Sequence, residues 1–77
     1  MDERELELIA THSDTDAELA ALYDEHVAFG KLIDKLESKP YLNATEENEV
    51  RELKKKKLAG KTRIQSILNR YRTAEAN

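Results

Sequence analysis

Along two stretches of the chain, one helical stripe recurs at alternating steps of three and four residues. The first stripe runs Leu19, Leu22, His26, Phe29, Ile33, Leu36, and the second Val50, Leu53, Lys57, Gly60, Ile64, Ile67, Tyr71. This rhythm holds one face of an α-helix toward one neighbour, as in a coiled coil. Between the stretches stands Lys39-Pro40, and the proline ring pushes the residue before it out of helical geometry. The pattern predicts an all-α fold built as a two-helix antiparallel hairpin. Its helices cover residues 16–38 and 46–72, and the turn covers 39–45. Residues 2–11, with Leu6, Leu8, Ile9 and Ala10 among acids, form a short extra N-terminal helix or an extension of the first. The polar run from Thr11 to Asp16 then interrupts them, because short polar side chains compete for backbone hydrogen bonds.

Local signals sharpen the ends. Thr15 followed by Glu18 reads as a capping box, and Thr45 as the N-cap of the second helix, with Glu46 and Glu47 suiting its positive end. Thr73 to Asn77 are expected to fray, and Tyr41 and Leu42 to fold back over the open end of the bundle. In this register Ile33 meets Val50, Phe29 meets Leu53, His26 approaches Lys57, Leu22 approaches Gly60, and Leu19 meets Ile64. Gly60 would admit a close approach by Leu22 or Phe29. Aspartate at Phe29 is expected to unfold the hairpin by placing an unpaired charge among apolar groups. Gly30 lies off the seam centre.

Length and charge add a second layer. Seventy-seven residues allow a single domain and little interior. A bare hairpin leaves the outer sides of both helices open, so a homo-oligomeric helical bundle is the expected remedy. Ala21, Ala28 and Leu32 form a further stripe on the first helix, a candidate oligomer face. The net charge of −3 hides an asymmetry, since residues 1–37 carry −8 and residues 38–77 carry +5. Laid side by side, the halves attract, which favours antiparallel pairing and disfavours helices of like sign together.

With no cysteine, disulfides and thiolate metal sites are excluded. The charged start Met1-Asp2-Glu3-Arg4-Glu5 is unlike a secretory signal, and no apolar run approaches membrane-span length. The expected location is therefore cytoplasmic. Lys54-Lys55-Lys56-Lys57, with Arg51, Lys61 and Arg63 nearby, is the strongest lure to a functional claim. Arg51, Lys54, Lys55, Lys56, Lys61 and Arg63 form a candidate polyanion contact. Four consecutive lysines circle a helix instead of lining one strip, and no aromatics interleave them. The leading reading is a solvated face paired with acids, and nucleic-acid contact is the weaker one. His12 and His26, about 21 Å apart on a continuous helix, share no metal ion, and His26 reads as a seam histidine that specifies packing. No nucleophile with a base, no phosphate loop and no concave framework is visible. The expectation is a non-enzyme with no catalytic, cofactor or metal residues, acting as a self-associating interaction module for an unidentified protein partner.

The segment Glu18-Leu19 … Leu22-Tyr23-Asp24-Glu25-His26 … Ile33 … Leu36-Glu37 resembles the first helix of the YdcH-like family of small bacterial proteins. Glu52-Leu53-Lys54-Lys55-Lys56-Lys57-Leu58-Ala59-Gly60-Lys61 … Ile64 … Leu68 resembles its second. Lys39-Pro40-Tyr41-Leu42 and Thr45-Glu46-Glu47 look like a branch of that family with a proline-bearing turn. The resemblance covers about residues 15–72. Thr62 departs from it, standing where the family usually has an acid, which puts a salt bridge there in doubt. What the resemblance implies is a self-associating α-hairpin. It brings no activity, because the family is functionally uncharacterised, and no established role for His26 or the lysine run.

Overall fold

In the computed structural model, which describes residues 1–76, three helices form in place of the expected two-helix hairpin: α1 (Glu3–His12), α2 (Ala17–Glu37) and α3 (Ala44–Ala76). No strand occurs among the described residues.

Each helix start is fixed by a short polar side chain that fills an orphan backbone amide. Asp2 caps α1, its Oδ1 accepting from the Glu5 amide at 2.9 Å, and Glu3 and Glu5 suit the dipole in the first turn. The cap of α2 is Asp16, not Thr15: Asp16 has extended backbone and accepts from the Leu19 amide at 3.0 Å, while the Thr15 hydroxyl turns back to the His12 carbonyl. A carboxylate one residue later serves the same amides and carries charge that the dipole favours. α3 likewise starts before the expected Thr45. Asn43 Oδ1 accepts from the Glu46 amide at 2.8 Å, and Glu46 Oε1 accepts from the Asn43 amide at 3.3 Å. That reciprocal pair is a capping box with asparagine in the cap position. The Lys39 ammonium also bonds the Glu46 carboxylate across the turn.

α2 stops as the proline dictates, with the Ser38 amide donating to Asp34 at 3.0 Å and the Lys39 amide to Leu36 at 3.2 Å. Tyr41 does not fold back over the bundle end. It is 85% exposed, and only Leu42 is half-buried. α3 does not fray from Thr73. It runs to Ala76, with the Thr73 hydroxyl bonded to the Asn69 carbonyl at 2.9 Å, and Asn77 lies outside the described residues.

α2 and α3 lie antiparallel, tied by Arg63 to Glu18 at 2.9 Å near one end and Lys54 to Glu37 at 3.3 Å near the other. Unequal helix lengths decide the rest. α3 has 33 residues and α2 has 21, so the C-terminal part of α3 outruns its partner. α1 folds back over that end. Ile9, Leu19, Ile64, Ile67 and Leu68 form one buried cluster, with Met1, Leu8, Leu22, Tyr23 and Tyr71 packed against it. Toward the turn, Ile33 and Val50 are also buried. Between the two, His26, Phe29, Lys57 and Gly60 are only half-buried, so packing along the seam is uneven.

Gly60 does not admit a close neighbour. A Cβ built there meets nothing within 4 Å, so neither Leu22 nor Phe29 needs the glycine. In a helix interior with open space beside it, alanine is worth about 0.5–1 kcal/mol over glycine. Gly60→Ala is therefore expected to raise the melting temperature by roughly 4–8 °C per kcal/mol gained, and a lowered melting temperature would contradict the open space.

Candidate functional site

Spacing on α2 sets His26, Gly30, Ile33 and Glu37 on one stripe, and on α3 Lys54, Lys57, Leu58 and Lys61 share another. All of these residues except Gly30 line an open groove of about 380 Å³, together with Asp34 and with Met1 of the N-terminal segment. At the turn end, Lys54 closes on Glu37 at 3.3 Å. At the other end the cations stand without acids: Lys57 and Lys61 are half-buried, and neither makes an ion pair among the described residues.

Gly30 lies beside the end of the Lys57 side chain. A Cβ placed there lies 3.6 Å from Lys57 Nζ, so the lysine lays its stem across the helix pair and rests its ammonium against α2. His26 stands one turn before Gly30. Its Nδ1 is buried and has no hydrogen-bond partner. Burial holds the imidazole below its ordinary titration range, aided by the charges of Lys57, the terminal amino group and Lys61, while a backbone bond with Lys57 works against them.

The other histidine belongs to a separate cluster. His12, at the end of α1, stacks on Tyr71 with ring centroids 3.8 Å apart and planes 9° from parallel. The Tyr71 hydroxyl donates to Asp16 Oδ2 at 2.6 Å. That bond, with the Leu19 amide, holds the Asp16 carboxyl below its usual range and pushes the Tyr71 phenol above its own. The α1–α2 junction is thereby clasped to the end of α3. Asp16 and Tyr71 are far apart in sequence, and nothing in the local spacing pairs them.

The remaining expected residues fall into distinct environments. Of the expected seam, Leu19, Ile33, Val50, Ile64 and Ile67 are buried, while Leu22, His26, Phe29, Leu36, Leu53, Gly60 and Tyr71 are half-buried. The candidate polyanion residues do not gather. Lys54 faces Glu37, Lys55 faces Glu52 at 3.5 Å, and Arg63 faces Glu18, while Arg51 and Lys56 are exposed without acids and Lys61 lies in the groove. Ala21 and Ala28 are exposed, and Leu32 is 47% exposed. Leu68 and Ile9 were not among the expected seam residues, yet both are buried at the heart of the cluster. Leu68 directly follows seam residue Ile67, a sign that the apolar stripe broadens there.

Three capped helices around a small apolar cluster, with none long and apolar enough to cross a membrane, define a small all-α protein. The chain belongs to the family described as protein of unknown function DUF465, whose model matches residues 19–68, and YdcH-like proteins are members. The matched segment begins and ends on two fully buried residues, Leu19 and Leu68, and leaves α1 outside it. No curated protein and no solved structure matches the chain.

Proposed function

We propose that the protein is a self-associating interaction module whose second copy packs on the outer stripe of α2. The observation that carries this reading is the uncovered stripe itself, Ala21, Ala28 and Leu32, with Leu32 47% exposed. Small residues flanking one leucine let a second helix come close without displacing long side chains. The core gives a reason for such a partner. Its main cluster buries five residues at one end of a particle 51 Å long, so much of the helix pair is thinly packed. A second copy is electrostatically apt where its basic α3 lies on this stripe, because the two-fold pair then sets the acidic helix of each chain beside the basic helix of the other. In this reading the chain does no chemistry, and its charged outer surface meets a further protein.

Sedimentation at micromolar concentration tests it. The chain is expected to sediment as a dimer or larger, and Leu32→Glu to weaken association by more than about tenfold, because a charge replaces apolar area at a contact formed twice. A wild-type chain that sediments as a monomer overturns the reading.

A further inference from the structure

We propose that the His26–Lys57–Lys61 end of the groove between α2 and α3 binds a small ligand through a phosphate group, held by two ammonium groups and by the protonated imidazole of His26.

The first support is a mismatch in pairing. α2 is rich in acids, and the exposed or turn-end cations Lys54, Lys55 and Arg63 each find one. Lys57 and Lys61 are more buried than those three, yet they stand without an acid among the described residues. Their stems are covered while their ammonium groups stay open to the groove, and both line it together with His26. The second support is placement: the Lys57 ammonium lies 3.6 Å from where a Cβ on Gly30 would stand, so it rests against α2 one turn from His26. The third is the His26 ring, which lines the groove while its buried Nδ1 finds no hydrogen-bond partner among the described residues.

These groups suit a phosphate. A doubly charged oxyanion offers three acceptor oxygens to three donors and gains a charge-assisted hydrogen bond from each. Its charge also opposes the influences that hold the imidazole below its ordinary range, which are burial first and then the charges of Lys57, the terminal amino group and Lys61. The opposing acids, Asp34 and Glu37, stand on α2 toward the turn, and Lys54 already occupies Glu37. They therefore do not contest the His26 end. A groove of about 380 Å³ has room for an organic portion beyond the phosphate, and the exposed Leu58 with Ile33 gives that portion an apolar surface. Among the described residues the groove carries no Phe, Tyr or Trp side chain as a platform for successive nucleic-acid bases.

Inorganic sulfate is the discriminating probe, because it stays doubly charged while the imidazole titrates between about pH 5 and about pH 8. Added to the full chain, it is expected to shift the His26 ring resonances and the Lys57 side-chain resonances saturably. Binding should tighten as pH falls, and the proton affinity of His26 should rise about tenfold at saturation, by linkage. Inorganic phosphate should compete. Lys57→Met keeps the packed stem and is expected to weaken sulfate binding by at least about tenfold with unchanged helical content, and His26→Gln to remove the pH dependence. The proposal is overturned by a response that chloride reproduces at equal ionic strength, or by wild-type affinity in Lys57→Met. It also fails if the resonances follow protein concentration instead of sulfate, which would assign these lysines to the acids of a second copy.

Discussion

Replacing Ile64 with aspartate leaves the chain unfolded at room temperature. Ile64 is fully buried, in the same cluster as Ile9, Leu19, Ile67 and Leu68, where all three helices meet. Truncating a buried isoleucine costs about 2–5 kcal/mol, and an unpaired carboxylate adds a desolvation cost to that. A domain of this size holds only a few kcal/mol of net stability, about 0.05–0.15 kcal/mol per residue. The loss exceeds the reserve, so the far-ultraviolet circular dichroism of Ile64→Asp is expected to lack the helical signal. Phe29→Asp provides the contrast. The seam pattern places Phe29 at the centre of packing, but it is only half-buried, in the thinly packed middle of the helix pair. That variant should lower the melting temperature and keep its helices at room temperature. Equal collapse of the two variants would show that packing does not fall off along the seam.

Ile9→Asp, by contrast, detaches α1 and leaves α2 paired with α3. Ile9 is 3% exposed and is the one residue of α1 buried in the shared cluster. A helix of ten residues is marginal on its own in water, since nucleation is unfavourable and its stability comes from docking. Once Ile9 carries a charge, Met1 and Leu8 remain as partial contacts, and they do not hold the helix. The stacking of His12 on Tyr71 retains only its C-terminal end. Amide hydrogen exchange is the measurement: residues 3–12 should lose protection, while the amides around Leu53 to Leu68 keep a reduced but measurable protection. Full protection of residues 3–12 in the variant would mean that α1 is held by something other than its apolar face.

The two helical stretches and the break between them were legible because each rests on local rules. Alternating steps of three and four have one simple helical explanation, and Lys39-Pro40 stops a helix whatever surrounds it. Helix ends were read less well. Thr15 and Thr45 are reasonable caps in isolation, but Asp16 and Asn43 lie within one or two residues and present equivalent oxygens. The structure uses Asp16 partly because Tyr71 also reaches it. The groove was legible only in pieces. His26 and the lysine run both stood out, yet Lys57 read as a seam filler and Gly30 as unexplained, because their contact crosses from one helix to the other.

The sequence by itself determined that this chain is helical, where it turns back, and that an acidic helix runs beside a basic one, since periodicity, proline and net charge act through neighbours along the backbone. Only the tertiary structure decided that α1 docks as a third helix. α3 outruns α2, leaves Ile64, Ile67 and Leu68 in need of cover, and so gives Ile9 a place to be buried. It also decided which cations find acids and which stand in the groove with His26. Relative rotation and offset of the helices set those distances, and no spacing within either helix encodes them.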